Sequence, residues 1–212
     1  MPETPLIHIV DDDADVRDSL LVLLESAGYR CATHASGNAF LSAVPKAGVA
    51  CAIVDVRMPG MDGLALMGAL VERRIQIPVI LATGFGDVPL AVRAMKAGAV
   101  DFIEKPCHLQ ELQDAIGRAL AIAEQGKRTA QEEEEAARRL SRLTQRERDV
   151  FERLIVGDAN KSIANRLSIS ARTVEIHRAR VMEKLQAKSL PELVRLALAA
   201  HPAPAISDGD QL

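Results

Sequence analysis

Five short runs of strand-forming residues alternate with helical patterns over residues 6 to about 123. The runs LIHIV, CATHA, ACAIVDV, PVILATG and VDFIEK are each followed by a stretch whose apolar residues recur at helical spacing. Strands that alternate with helices in this way form a parallel sheet with helices on both faces. The pattern therefore predicts an α/β domain built on a five-stranded, doubly wound parallel sheet.

The helices of this segment have conventional start and stop signals. Gly28 and Gly98 stand where helices end, and Ser36 stands where a helix begins. Asp13 is expected in the turn after the first strand, where the positive end of a helix starting near Ala14 or Asp15 suits its charge.

Polar side chains follow four of the five strands. Asp11 and Asp12 follow the first strand, Asp55 ends the third, Thr83 follows the fourth and Lys105 follows the fifth. In a sheet of this kind the ligand site lies beyond the carboxyl ends of the strands. Three carboxylates in one crevice need a cation, and an oxygen-only ligand set is what Mg²⁺ prefers. A carboxylate beside such a metal, with a lysine and a threonine nearby, is equipped to attack a phosphoryl group.

Each of these residues also has an ordinary explanation when it is taken alone. Three adjacent aspartates are typical of a solvated loop with helix-capping acids, Thr83 of a turn and Lys105 of the surface. Phe102, the aromatic residue of the fifth strand, is typical of a core position. Their joint placement on successive strands favours one shared site over these separate explanations.

Four stretches carry a resemblance to a known family. HIVDDD, VDVRMPGMDG, LATGFGDVPLAVRAMKAGAVDFIEKP and NKSIANRLSISARTVEIHRARVMEKL are similar to the FixJ-type two-component response regulators. The resemblance covers nearly the whole chain, and it implies a CheY-like receiver domain over residues 1–123. Two positions depart from the FixJ pattern: Phe85 replaces a histidine, and Cys107 replaces an aromatic residue after Lys-Pro.

The resemblance assigns a role to each residue at the strand ends. Asp55 would be the phosphoacceptor, and Lys105 and Thr83 would each bind a phosphoryl oxygen, with Lys105-Pro106 as a cis peptide bond that aims the lysine inward. Phe102 would be the aromatic switch. The Mg²⁺ ligands that it implies are Asp11, Asp12, Asp55 and the backbone carbonyl of Arg57.

An aspartyl nucleophile beside a metal also fits an enzyme, a phosphatase of the haloacid dehalogenase type. Such an enzyme needs an acid two residues after its nucleophile to protonate the leaving group and activate water. This chain has Arg57 at that position, and its connections are too short for a substrate-specificity insertion. We therefore expect a long-lived aspartyl phosphate, which suits a switch and not an enzyme.

The charge of the chain changes along its length. Residues 1–123 carry 10 Lys+Arg against 15 Asp+Glu, whereas residues 144–200 carry 11 against 7. The basic segment is the better candidate for binding a polyanion. Aromatic residues make up only 2% of the chain, which argues against a single-strand reader that stacks bases on aromatic side chains.

Residues 124–143 are predicted to be a helical linker that extends the last receiver helix. Two ion pairs at i,i+4 spacing favour the helix: Glu134 with Arg138 and Glu135 with Arg139. We expect a weak point near Gly126. Leu140 and Leu143 would be available for dimer contacts.

Residues 144–200 read as four short helices. Thr144 and Glu147 form a predicted capping box, Asn160 and Ser170 are predicted N-caps, and Ser189 precedes the last helix. The core at helical spacing is predicted to contain Val150, Leu154, Ile163, Leu167, Val174, Val181, Leu185, Leu193 and Leu196.

This all-α segment resembles the LuxR/NarL-type helix-turn-helix domain, with LSIS as the turn and about residues 171–185 as the recognition helix. The resemblance places Glu175, Ile176 and Ala179 in the major groove, where glutamate can accept from cytosine and isoleucine can contact a thymine methyl. His177 either packs at the edge of the core, which its spacing favours, or reads a base. Contacts to the DNA backbone are predicted for Lys161, Thr173, Arg178, Arg180, Lys184 and Lys188.

The function that follows is a transcription regulator switched by phosphorylation. A sensor histidine kinase would phosphorylate Asp55, and the homodimer would bind double-stranded DNA at a palindromic operator and act on RNA polymerase. The FixJ likeness implies control of oxygen- or nitrogen-related genes. A helical protein-interaction module is the alternative for the second half.

The remaining expectations concern location and thiols. No apolar run has the roughly 20 residues of a membrane span, so we expect a cytoplasmic protein without membrane contacts. Cys31, Cys51 and Cys107 are widely spaced and are expected to be reduced packing residues. Residues 201–212 are predicted to be a disordered tail.

Overall fold

The computed structural model describes residues 5–43, 49–84 and 88–200. The chain divides into two compact units, Met1–Gly126 and Lys127–Leu212. The first unit contains one sheet whose neighbouring strands all run parallel, in the order β2-β1-β3-β4-β5. Its strands are β1 (Leu6–Val10), β2 (Arg30–His34), β3 (Val49–Asp55), β4 (Val79–Thr83) and β5 (Asp101–Glu104). The predicted five-stranded parallel sheet is confirmed.

Helices pack on the sheet because its central strands are apolar on both faces. Ile9 and Ile53 belong to one buried cluster, whereas their neighbours Val10 and Val54 belong to another. Successive side chains of a strand point to opposite faces, so the two clusters lie on opposite sides of the sheet. The helices of this unit are α1 (Ala14–Ser26), α2 (Gly37–Ala43), α3 (Gly63–Glu72), α4 (Val88–Lys96) and the first part of α5 (Leu109–Leu140).

The helix boundaries agree with the signals in the sequence. Gly28 and Gly98 follow helices with φ values of +88° and +90°, a region that favours glycine. Ser36 Oγ accepts a hydrogen bond from the backbone N–H of Ala39 at 3.1 Å. Asp13 caps α1 and accepts from two backbone N–H groups of the first turn, as its position in the turn predicted.

The second unit contains four short helices, as predicted: α6 (Gln145–Val156), α7 (Asn160–Leu167), α8 (Ala171–Lys184) and α9 (Leu190–Ala200). The capping box of Thr144 and Glu147 and the Ser170 cap are confirmed. The Asn160 prediction is wrong by one residue. α7 begins at Asn160 itself, after Ala159, and the Asn160 side chain accepts from Arg178 at 3.5 Å.

The core of the second unit contains all nine predicted residues, with Leu167 and Leu196 partly buried at its edge. It also contains Leu140 and Leu143, each 7% exposed. The expectation that these two leucines serve dimer contacts is therefore wrong, because their side chains are already covered within the domain.

α5 is continuous from Leu109 to Leu140, so the helical extension is confirmed and the weak point near Gly126 is not seen. Glu135 pairs with Arg139 at 2.8 Å and also with Arg138. The predicted partner of Arg138, Glu134, is wrong, since the i,i+3 neighbour has taken its place.

The three cysteines are free, and all belong to or pack against the cluster that contains Ile9. Burial raises the pKa of Cys51 to about 12 and also raises the pKa of Cys107. Within the described residues, no helix is long and apolar enough to cross a membrane. Phe85 and the predicted disordered tail 201–212 lie outside the described residues.

Candidate functional site: the strand ends and the basic helix

Parallel pairing brings the polar ends of four strands to one edge of the sheet. Asp55 pairs with Ala82 across β3 and β4, and Thr83 pairs with Glu104 across β4 and β5. The carboxylates are mostly covered, with Asp11 2% exposed and Asp55 7% exposed. Thr83 is 1% exposed, and its carbonyl accepts from the backbone N–H of Lys105 at 2.7 Å.

Lys105 is the centre of this edge. Its Nζ lies 2.5 Å from Asp11 Oδ2 and 2.5 Å from Asp55 Oδ1, so one ammonium bridges two buried carboxylates. The second oxygens of the pair accept backbone N–H groups, Asp55 Oδ2 from Arg57 at 2.7 Å and Asp11 Oδ1 from Asp13 at 3.0 Å. The peptide bond between Lys105 and Pro106 is cis, as the resemblance implied.

Burial and pairing shift the two central groups. Burial raises the pKa of Asp55, and this outweighs the opposite effect of Lys105. Burial acts to lower the pKa of Lys105, but its hydrogen bonds to Asp11 and Asp55 raise it above the ordinary value. The lysine therefore stays charged at neutral pH and offsets part of the negative charge of the two carboxylates.

Lys105 joins Asp11 to Asp55, and the place of Asp12 among the three gathered carboxylates stays a prediction. Asp12 is exposed and lines a neighbouring cavity. The described residues contain no group of three or more Asp, Glu, His or Cys side chains arranged to hold a metal ion. Lys105 supplies the compensating charge in this arrangement. The donors of the predicted set, three carboxylates and the carbonyl of Arg57, are all oxygens, which is the chemistry that suits Mg²⁺.

Phe102 lies on β5 opposite Leu81 and packs, partly buried, against the cluster that contains Val54. It is on the same sheet as Asp55, and β4 lies between the two residues. This placement is compatible both with a core residue and with the switch that the resemblance implied.

Two features of the site were not predicted from the sequence. A Cβ on Gly63 would lie 2.6 Å from the carbonyl oxygen of Asp55, so the start of α3 can approach the end of β3 only without a side chain. The second glycine of GMDG is Gly63, eight residues after Asp55, and it was the sign of this close approach in the sequence. His8 Nδ1 also lies 2.8 Å from His34 Nε2, and the His34 carbonyl accepts from the backbone N–H of Asp11 at 3.1 Å.

The second site is built on the turn between α7 and α8. Ser168 ends α7 in the left-handed conformation with φ 55° and ψ 42°, and Ser170 Oγ then accepts from the Thr173 N–H at 3.0 Å. This short turn is LSIS, as predicted. It fixes the start of α8, whose Val174 and Val181 are fully buried.

The opposite face of α8 is exposed. Ile176 keeps 47% of its surface in solvent although it is a large apolar residue. Its exposed neighbours on the helix are Arg172, Glu175, Arg178, Ala179 and Arg180, and Lys161 of α7 and Lys188 are exposed as well. An exposed helix face with five nearby cations and one large apolar side chain can bind an anionic, grooved surface.

Three of the predicted contact residues have partners inside the domain. Thr173 shares a 2.8 Å hydroxyl hydrogen bond with Ser170. Lys184 Nζ lies 2.6 Å from Glu147 Oε2, which draws its ammonium toward the core, and Arg178 donates to Asn160. His177 is half-buried, as its spacing favoured.

Comparison with known proteins gives consistent results for both units. The family models of the response regulator receiver domain and of bacterial regulatory proteins of the luxR family match residues 7–117 and 141–197. The transcriptional regulatory protein FixJ of Azorhizobium caulinodans is 50% identical over 206 residues, 97% of this chain and 97% of that protein.

Solved structures are also similar. Full-length FixJ from B. japonicum is 46% identical, with a TM-score of 0.56, and covers 94% of this chain and 98% of that chain. The response regulator StyR is 39% identical, with a TM-score of 0.79, and covers 92% and 98%.

Proposed function

The chain belongs to the FixJ-type response regulators, which regulate transcription with a receiver domain and a LuxR-type DNA-binding domain, and we propose that a sensor histidine kinase controls it by phosphorylating Asp55. The observation that carries the proposal is the bridge of Lys105 to Asp55 and Asp11, with both Nζ distances at 2.5 Å. A buried carboxylate that is paired with an ammonium can accept a phosphoryl group, because the ammonium already compensates negative charge at this position.

The residues at the strand ends have complementary roles. A carboxylate oxygen of Asp55 forms a bond to phosphorus while the bond between phosphorus and the histidine nitrogen of the kinase breaks. Lys105 then pairs with a phosphoryl oxygen in place of Asp55 Oδ1. The hydroxyl of Thr83 binds another oxygen. Receiver domains generally use Mg²⁺. Asp11, Asp12, Asp55 and the carbonyl of Arg57 would hold it here, where it supplies positive charge to the phosphoryl oxygens.

The acyl phosphate is expected to persist because Arg57, not an acid, follows two residues after Asp55. The alternative of a haloacid dehalogenase-type phosphatase gains no support, since the matching families and relatives are transcriptional regulators.

Phosphorylation favours dimers through the surface formed by α4 and β5. Val88, Val92 and Met95 are large apolar residues of α4 that remain exposed. When Thr83 and Lys105 move to the phosphoryl group, Phe102 turns inward and the α4–β5 surface rearranges. A ligand or modification shifts such an equilibrium only through its preference for one state.

The dimer places two recognition helices on a palindromic operator, so that each binding event raises the effective concentration for the other. Glu175, Ile176 and Ala179 face the bases. Lys184 stays a predicted backbone contact that competes with Glu147. The other backbone contacts are Lys161, Thr173, Arg178, Arg180 and Lys188. Oxygen- or nitrogen-related genes, reached through RNA polymerase, are the proposed targets.

The test is intact mass after incubation with Mg²⁺ and acetyl phosphate, for the wild type and for Asp55→Asn. We expect one added phosphoryl group in the wild type alone, with dimers on the same samples by light scattering. An unmodified wild type, or an equally modified Asp55→Asn, contradicts the role of Asp55.

A further inference from the structure

Two histidines form a hydrogen-bonded pair at one side of the sheet. His8 lies on β1, and His34 lies on β2, the outermost strand in the order β2-β1-β3-β4-β5. His8 Nδ1 lies 2.8 Å from His34 Nε2, and the two rings stack with their centroids 5.0 Å apart. Phe40 of α2 meets both rings edge-on, with centroid distances of 5.2 and 5.3 Å. One imidazole therefore donates an N–H to the other inside a closely packed group of three rings.

The hydrogen bond matters to His8 because this residue is buried. His8 is 3% exposed, and among the described residues its other ring nitrogen, Nε2, has no hydrogen-bond partner. A buried polar group that loses its partner costs more than the bond contributes when it is formed. Burial and the neighbouring His34 lower the pKa of His8 to about 4, and burial also lowers the pKa of His34. Both rings are therefore neutral at pH 8.

The pair lies directly beside the backbone of Asp11. His34 is paired with Val10 in the register of β1 and β2, and its carbonyl accepts from the backbone N–H of Asp11 at 3.1 Å. The Asp11 carbonyl accepts from Arg17 Nη1 at 2.7 Å. From this backbone the Asp11 carboxylate extends to Lys105, whose Nζ is 2.5 Å away. A shift of β2 against β1 would therefore move the Asp11 carboxylate.

We propose that the His8–His34 pair positions Asp11 as a ligand of the divalent cation. The hydrogen bond between the rings holds β2 against β1, and the His34 carbonyl transmits this constraint to the backbone of Asp11. Groups that fix a metal ligand from outside raise the affinity for the metal, because less freedom is lost on binding. The proposal rests on the Mg²⁺ site of the proposed function, and it names two positioning residues that are not metal ligands.

Phenylalanine at both positions removes the hydrogen bond and keeps the aromatic packing. His34→Phe alone leaves the buried His8 ring without its partner, which lowers the free energy of unfolding. The double variant His8→Phe/His34→Phe has no polar ring atom at either position, so its free energy of unfolding should return toward that of the wild type. Positioning and stability can then be separated, because the double variant is stable and still lacks the bond.

The Mg²⁺ affinity and the stability are measured on the full, unphosphorylated chain at pH 8. Isothermal titration calorimetry with MgCl₂ gives the Kd for Mg²⁺ without any phosphoryl donor. A urea titration followed by tyrosine fluorescence reports on the first unit, because Tyr29 is the sole tyrosine of the chain and tryptophan is absent from the sequence. Thr33→Val is the control, since Thr33 is an exposed residue of β2 next to His34.

We expect His34→Phe and the double variant to raise the Kd for Mg²⁺ by about threefold to tenfold, the effect of one hydrogen bond between neutral groups. Thr33→Val should leave the Kd unchanged. A double variant that binds Mg²⁺ as tightly as the wild type, or an equal change in Thr33→Val, overturns the positioning role while the metal site stands. A wild type that binds no Mg²⁺ overturns the metal site of the proposed function as well, which is a different result.

Discussion

Glu147→Gln removes the negative charge at the start of α6 in the second unit. The Glu147 carboxylate is 4% exposed and accepts from Lys184 Nζ at 2.6 Å and from the Thr144 backbone N–H at 2.8 Å. The ion pair joins α6 to the end of α8, and the hydrogen bond to Thr144 completes the capping box. Both are weakened when a neutral amide replaces the carboxylate.

The expected loss in the free energy of unfolding follows from the burial of Glu147 and Lys184. Removing one member of a buried ion pair costs about 3–5 kcal/mol. Lys184 retains 36% exposure, so water can solvate its ammonium in the variant and reduce that cost. A hydrogen bond to a charged group contributes about 1.5–3 kcal/mol, and we expect a loss in this range for Glu147→Gln.

The pH dependence has a definite sign. The ammonium of Lys184, with the backbone N–H of Thr144, lowers the pKa of Glu147 to about 2. A glutamate in an unfolded chain has a pKa near 4.3, so the unfolded state binds the proton first. The contribution of the ionised Glu147 carboxylate to the stability of the folded state is therefore fully present above about pH 4.5. It is lost as the pH falls toward about 2.

Hydrogen exchange of the slowest amides in α6 and α8 measures this stability in the full chain. Glu152→Gln is the matched control, since Glu152 is exposed on the same helix. At pH 7 we expect faster exchange in Glu147→Gln only, and a weaker acid dependence. Equal protection in both variants, or an unchanged acid dependence, would refute the stabilising role of the pair.

Three further predictions concern Gly63, the cations of α8 and Leu140. Gly63→Ala should lower the rate of Asp55 phosphorylation, because the added methyl group displaces the end of β3. Gly68→Ala on the same helix is the control and should leave the rate unchanged, because a Cβ there meets nothing within 4 Å. Equal rates in the two variants contradict the positioning role of Gly63. Arg180→Gln should reduce the salt dependence of DNA affinity by about one phosphate contact, and Lys184→Gln should reduce it less because Glu147 holds its ammonium; titration at several salt concentrations decides this. Leu140→Ala should lower the free energy of unfolding by about 2–5 kcal/mol in a urea titration at pH 7.

The sequence predicted those parts of the fold that depend on local pattern. The alternation of strands and helices, the caps at Ser36, Ser170 and Thr144, and the LSIS turn all follow from residue types at short spacing. The burial of Leu140 and Leu143 could not be predicted in this way, because it depends on packing against helices that come later in the chain. Two leucines three residues apart give the same sequence pattern whether their side chains pack in the core of the domain or at a dimer interface.

The features of the site also divide into those that local sequence predicts and those that depend on residues distant in the chain. The position of Lys105 after the fifth strand predicted it as a site residue, but only the structure shows that its ammonium lies 2.5 Å from both Asp11 and Asp55. Gly63 was missed because its importance comes from the carbonyl of Asp55 across a loop. Lys184 looked like the other cations of α8, and its distance to Glu147 is set by the packing of two helices.

The three consecutive aspartates show how one residue type acquires three roles. Asp11 follows β1 and is buried, so its charge is tolerable only because Lys105, 94 residues away in sequence, reaches it. Asp12 is exposed and faces the cavity, where a carboxylate can meet a cation from solvent. Asp13 caps α1 and needs only the N–H groups that follow it. The role of Asp13 can be read from its neighbours, whereas the roles of Asp11 and Asp12 depend on strands that the sheet brings together.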